Sequence, residues 1–272
     1  LETLHLFKTC GDIIFMGDTH TGGQAAHMMG SQLVSEGLAA TVNGVVSLSS
    51  PVRRIVQNDQ GVTVECDETT WQGKQVICAL PPVIINRLEF EPMLPAYRRA
   101  FHQRCPIGRY SKAILSYETP FWRDQGLSGI AASIDNGMTG IYDLGDTESK
   151  RGVISILFGG EPSIQLDNAT EAERGQIILD QVAIALGEQG RHPVDMVVKQ
   201  WVNEPWSQGG ASSYMTPGTL TKIGDRLWEP CGRIYWAGTH LSRVWRGYME
   251  GACAAGEAAA NAVLAAQNES IS

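Results

Sequence analysis

The residues best spaced to do chemistry lie near the C-terminus. Arg233 to Ala237 is an apolar strand-like run that delivers Gly238 and Thr239 to a loop, and glycine there lets backbone approach a ligand closely. The loop feeds Gly247, Tyr248 and Met249 into the first turn of a small-residue helix predicted from about Tyr248 to Ala266. A helix start carries free N–H groups and the positive end of the dipole, so it stabilises an anion. Gly251, Ala252, Ala255 and Gly256 keep one helix face thin enough for close packing. The same spacing also describes a plain strand–loop–helix packing unit, and spacing alone leaves both readings open.

Two further places carry candidate groups. Lys112 opens an apolar strand segment, where its three donors on a flexible stem could hold a water or a polar ligand atom; the competing reading is an ordinary surface lysine. Trp201 and Trp206 flank Glu204 and Pro205 in a segment that ends in Gly209-Gly210. His240 is a lone loop histidine and receives no role. The six cysteines form no CxxC pair and read as buried free thiols, and no metal site is predicted.

These groups need strands and helices to hold them. Residues 24–38 read as a helix. Val45–Leu48, Val52–Val56 and Val62–Val64 read as strands, with the turn 58–61 joining the last two. Lys74–Leu80 reads as a buried strand stopped by Pro81-Pro82. Lys112–Tyr117, Gly140–Asp143, Val153–Phe158 and Val197–Trp201 are further strands, and Thr170 to Glu173 fits a helix capping box. Mixed strands and helices predict an α/β fold with a mixed sheet. At 272 residues, 43% hydrophobic and 18% charged, the chain can form one large domain or two modest ones. A net charge of −8 and a pI near 5.3 argue against nucleic acid, and no apolar stretch is long enough to span a bilayer. With no leader in these residues, an intracellular, cytoplasmic location is expected.

The 232–261 stretch resembles the C-terminal flavin-binding signature of flavin-containing amine oxidases, closest in look to the fungal monoamine oxidases, and the resemblance extends along nearly the whole chain. Thr21-Gly22-Gly23-Gln24 resembles the family's substrate-cavity motif. Ser50-Pro51-Val52 resembles the strand whose backbone meets the adenine. Val76–Pro82, Phe90–Pro95 and Phe121-Trp122 fit in order, and Trp201–Gly210 resembles the segment beside the isoalloxazine ring. The resemblance implies oxidation of an amine C–N bond to an imine, with O₂ reduced to hydrogen peroxide. It implies an FAD/NAD(P)-binding-type α/β fold interleaved with a mixed-sheet substrate domain. The cofactor half is expected over 25–102 and 203–272, the substrate half over 1–24 and 103–202. Lys112 and Tyr248 become the catalytic candidates, facing one shared cavity with Trp201 nearby. Val52, Trp201, Trp206, Gly238, Thr239, Gly247, Tyr248, Met249 and Ala252 become FAD contacts, and Gln24, Ser212 and Tyr248 substrate contacts.

The departures shape the expectation as much. Gly209-Gly210-Ala211 stands where animal relatives carry the flavin-bonded cysteine, so FAD is expected to be noncovalent. Ser212 replaces the second cage aromatic, and His240 the glutamate usual after Gly-Thr. No GxGxxG follows a strand in these residues, so the fold is expected to be incomplete and FAD binding by this chain alone weak or absent. A polyamine or L-amino-acid oxidase, the latter using Arg243 or Arg246, remains an alternative, as does an inactive truncated fragment. The expected partners are a small amine and O₂, with an oligomer possible.

Overall fold

The computed structural model describes residues 31–133, 138–145 and 150–269. They form two compact units, one built from 31–105 and 214–269, the other from 106–213. The first unit begins with α1 (Gln32–Thr41), β1 (Val52–Gln57), β2 (Val62–Cys66), β3 (Thr70–Gly73), β4 (Val76–Cys78), α2 (Pro82–Ile85), β5 (Glu89–Glu91) and α3 (Ala96–Gln103). The second unit contains β6 (Tyr110–Tyr117), α4 (Phe121–Asp124), β7 (Ala131–Ser133), β8 (Met138–Asp143), β9 (Gly152–Gly159), α5 (Glu161–Asn168), α6 (Glu171–Leu186) and β10 (Asp195–Gln200). The chain then returns to the first unit with α7 (Thr219–Ile223), β11 (Ile234–Trp236) and α8 (Met249–Glu269).

The first unit holds a four-stranded sheet in the order β3-β2-β1-β5 and a parallel pair, β11-β4. Asn58 closes the β1–β2 hairpin: its side-chain oxygen accepts from the N–H groups of Gln60 (2.8 Å) and Gly61 (3.2 Å), a local bond that asparagine makes readily in turns. Ile55, Val62, Phe101, Leu227, Ile234 and Trp236 pack as one core. A cation sits at its edge. The Arg98 guanidinium, 1% exposed, lies 4.6 Å from the Trp236 ring and donates to the carbonyls of Leu227 (2.7 Å), Glu229 (3.0 Å) and Arg226 (3.3 Å). It thereby ties α3 to the segment between α7 and β11. His102 meets the Trp236 ring at 5.3 Å, and His240 stacks on Phe101 at 6.3 Å.

Three expectations change here. Val45–Leu48 is not a strand; Val45 and Leu48 are 78% and 82% exposed, and no ladder partner lies beside them among the described residues, so β-branched residues alone do not extend the chain into a sheet. The run 74–80 is a strand only over Val76–Cys78, and Ile77 is 39% exposed. Strand β10 ends at Gln200, and Trp201 starts a 3₁₀ turn. The expected helix over 24–38 is described only from Gln32 onward, where it runs to Thr41.

The second unit is a five-stranded antiparallel sheet in the order β10-β6-β9-β8-β7. Alternation along β6 puts Ala113, Leu115 and Tyr117 against α5 and α6, in a core with Ile154, Ile156, Leu166, Ile178 and Val182. Tyr110, Lys112, Ile114 and Ser116 take the other face. Helix α6 starts as its sequence predicts: Thr170 N–H donates to the Glu173 carboxylate at 2.9 Å, and Glu173 N–H donates back to the Thr170 hydroxyl at 3.4 Å. Thr170→Ala should lower stability by about 1 kcal/mol, read as a fall in urea midpoint with unchanged m-value.

A second expected outcome concerns pH. Burial, then neighbouring cations (Arg98 for both, Arg246 for His240), pushes His102 and His240 down to about 3. The unfolded chain binds their protons near pH 6.5 and the folded chain does not, so the unfolded state holds more protons as pH falls. Stability should be level above about pH 6.5 and decline below it, by about 1.4 kcal/mol per pH unit for each histidine. Between pH 6.5 and about 5 most carboxylates are still ionised, so the slope there reports the histidines. Equal urea midpoints at pH 7 and pH 5 would overturn this assignment.

Candidate functional site

In the first unit, parallel strand β11 leads straight into Gly238 and Thr239. Ligands of open α/β sheets collect outside the carboxyl ends of parallel strands, and Thr239 lies there. Gly238 adopts φ +108°, and a Cβ at this position would stand 2.8 Å from the His240 ring. The close approach it permits is therefore to the chain's own histidine. Thr239 does more than follow the glycine: its hydroxyl accepts from Gly247 N–H at 2.7 Å and donates to the Tyr248 carbonyl at 3.0 Å. One side chain thus fixes the loop to the start of α8.

The first intrahelical bond of α8 runs from Ala252 N–H to the Tyr248 carbonyl, so the N–H groups of Met249, Glu250 and Gly251 precede the ladder. Tyr248 is half-buried, and Trp245 meets its ring edge-on at 5.7 Å and 79°. Trp245 was missed in the sequence reading; its place three residues before Tyr248 was the available signal. The thin helix face differs from expectation. Gly251, Ala255 and Ala259 are the buried set, whereas Ala252 is exposed, because a spacing of four keeps residues on one side of a helix. Met249 is exposed, and Val52 is half-buried where β1 meets Cys66 of β2. Arg243 lies over the Trp228 ring at 3.8 Å.

In the second unit, Lys112 is half-buried on the sheet face turned from the helices. Its cross-strand neighbours are Leu157 of β9 and Lys199 of β10, with Gly140 of β8 beyond Leu157. Tyr110 and Tyr142 share this face; burial, then the nearby Tyr142, pushes the Tyr110 phenol up. Trp201 follows β10 directly and carries the Lys199 ammonium 5.5 Å from its ring centroid. Trp206 is more than half exposed. Gly210 N–H donates to Gly108 O (2.9 Å) and Gly108 N–H to Ser212 O (3.1 Å), which pins the loop to the start of the sheet. A Cβ on Gly209 would lie 2.4 Å from the Gly108 carbonyl, so this Gly-Gly pair serves backbone packing. Ser212 is exposed. Gln24, with the motif Thr21–Gln24, lies outside the described residues.

The structure thus gathers Gly238, Thr239, Gly247, Tyr248 and Met249 around one loop, and Lys112, Trp201 and Lys199 around one sheet edge. Lys112 and Tyr248 belong to different units. Among the described residues no group of three or more His, Cys, Asp or Glu side chains could hold a metal ion, and no helix is long and apolar enough to cross a membrane.

Known proteins match this arrangement along the chain. Residues 5–264 match the model of the flavin containing amine oxidoreductases. A probable flavin-containing monoamine oxidase A of Dictyostelium discoideum is 34% identical over 93% of the chain, and the bovine amine oxidase B is 36% identical over 96%. An L-amino acid dehydrogenase of Synechocystis is 35% identical over 86%. These matches cover 56%, 51% and 50% of the relatives, so the chain spans about half their length. Among solved structures, a putrescine oxidase bound to putrescine superposes with a TM-score of 0.91 at 27% identity, over 97% of this chain and 59% of that one. Cyclohexylamine oxidase from Brevibacterium oxydans gives 0.88 at 30% identity, with the same coverage. With a family model running through both units, and through both the Thr239 loop and the Lys112 sheet, the chain belongs to the flavin-containing amine oxidoreductases.

Proposed function

We propose that this chain supplies the flavin-facing loop and the substrate-facing sheet of an FAD-dependent amine oxidase acting on a small amine, with O₂ as the final acceptor. The observation that carries the reading is Lys112: a half-buried lysine between Leu157 and Lys199, with Tyr110 and Tyr142 on the same sheet face, which the helical core leaves alone. Nothing in the folding of the unit calls for a cation there, and a lysine in such a place can hold a water by its N–H donors.

The residues around Thr239 fit an isoalloxazine-bearing cofactor. They offer N–H donors ahead of the α8 ladder, at the carboxyl end of a parallel strand, to a group that gathers negative charge on reduction. Val52, Gly238, Thr239, Gly247, Tyr248, Met249 and Ala252 of the first unit would hold it; Trp201 and Trp206 are assigned to it by the family resemblance alone. When bound, FAD would accept a hydride from the carbon beside the substrate nitrogen, the nitrogen losing a proton to leave an imine, and would pass the two electrons to O₂. The protein groups bind and orient. Tyr248, steadied by the Trp245 edge, presents a ring against which an amine can rest. Ser212 and Gln24 would line the substrate side. Lys112 would hold a water beside the reacting atoms. Arg243 lies over the Trp228 ring, which leaves Arg246 as the arginine an amino-acid substrate would need. The described cysteines are all free thiols, which agrees with a reducing, cytoplasmic setting.

Two outcomes test this reading. In the flavin-loaded protein, Lys112→Met should slow flavin reduction or reoxidation by about tenfold or more, about 1.4 kcal/mol, with an unchanged far-UV spectrum. Stopped-flow absorbance measures both steps, and unchanged rates would remove Lys112 from the mechanism. The second outcome concerns attachment. Ala211 offers no sulfur, so acid precipitation should leave the yellow colour in the supernatant; the 272-residue chain alone, lacking GxGxxG, should bind FAD weakly. Colour in the pellet, or stoichiometric FAD on the chain alone, would contradict these points.

A further inference from the structure

Lys112 has a like-charged neighbour. In the antiparallel pair β6–β10, Lys112 and Lys199 are directly opposite, which places their side chains on the same face with Cβ atoms about 5 Å apart. Like charges so placed repel, and a sheet ordinarily avoids them. Lys199 reaches away along the chain to the Glu204 carboxylate, Nζ to Oε2 2.7 Å, and its Nζ lies 5.5 Å from the Trp201 ring centroid. Lys112 forms no ion pair among the described residues.

Glu204 is itself built into the turn that follows β10. Its N–H donates to the Trp201 carbonyl at 3.1 Å, and its own carbonyl accepts from Gln208 N–H at 2.7 Å and Ser207 N–H at 3.3 Å. The Lys199 ammonium, helped by the Trp206 backbone N–H, holds the Glu204 carboxyl below the usual carboxylate range. The carboxylate is therefore ionised at neutral pH, on a residue whose main chain is fixed by the turn.

We propose that Lys199 and Glu204 are positioning residues for Lys112: Glu204 draws the Lys199 charge off the sheet face and over Trp201, leaving Lys112 as the ammonium that faces the reacting atoms. The role assigned to Lys112 rests on the oxidase reading above; the charge arrangement does not. Without Glu204, Lys199 would be released toward Lys112, and each ammonium would push the other from its place. Trp201 would also lose the cation that lies over its ring.

A double-mutant cycle on the full 272-residue chain tests this without cofactor. Glu204→Gln should lower the thermal midpoint, and should lower it clearly less in the K112M background, where the repulsion is absent. Equal losses in the two backgrounds would show that Glu204 only holds its own turn, and would overturn the proposal. The flavin-loaded protein gives the second readout. Glu204→Gln should slow the flavin step several-fold, and adding Lys199→Met should restore most of the rate, because the second ammonium is then gone. A purely structural Glu204 would give no rescue, since the second substitution removes a further contact. Coupling in the midpoints with flavin rates indifferent to Lys112→Met would uphold the charge arrangement and sink the oxidase role of Lys112, so the two readings fail separately.

Discussion

The register of β6 is the constraint on which the second unit depends. This strand is hydrogen-bonded along both edges, to β9 from Tyr110 to Tyr117 and to β10 from Ser111 to Ser116. Its side chains alternate strictly, so a slip of one residue would carry Ala113 and Leu115 out of the helical core and drive Lys112 into it. A buried unpaired ammonium costs several kcal/mol, and the slip would lose the apolar burial as well. The hydrophobic core thus fixes the direction of a charged side chain that it never touches.

The first unit solves a different problem by polar means. In its loop from β11 to α8, Leu241 packs into the core and side-chain hydrogen bonds supply the rest of the hold. Thr239 supplies two hydrogen bonds across the loop, and Arg98 binds three carbonyls of the preceding segment from inside. Each bond contributes about 1 kcal/mol net, but a partner left buried and unsatisfied costs more, which makes both residues difficult to replace. Lysine could not reproduce the Arg98 stack on Trp236, because a compact ammonium has no planar face to lay on the ring.

What the sequence made legible follows from how local the cause is. The Thr170–Glu173 cap and the Asn58 turn depend on residues within one turn of each other, and they lie where their pattern puts them. The run Val45–Leu48 has strand-like residues but no partner among the described residues, and partnering is not written in a single stretch. The Thr239 loop was found as a glycine motif, yet its mechanical part is the threonine hydroxyl, whose donor and acceptor partners lie eight and nine residues on. The facing of Lys112 and Lys199 was illegible altogether, because it arises from pairing two strands 87 positions apart, 199 less 112. Likewise Arg98 gave no signal, since its carbonyl partners come from a distant segment.

One consequence of the two-faced sheet concerns how such a protein can diversify. Positions 113, 115, 154 and 156 face the helices, while 110, 114, 142 and 157 face the other way, interleaved one by one along the same strands. A change in the second set alters the shape presented beside Lys112 without opening a cavity in the core. Under the role proposed for Lys112, ligand preference and foldability would be carried by separate letters of the same words, and lineages could respell one while the other is held constant.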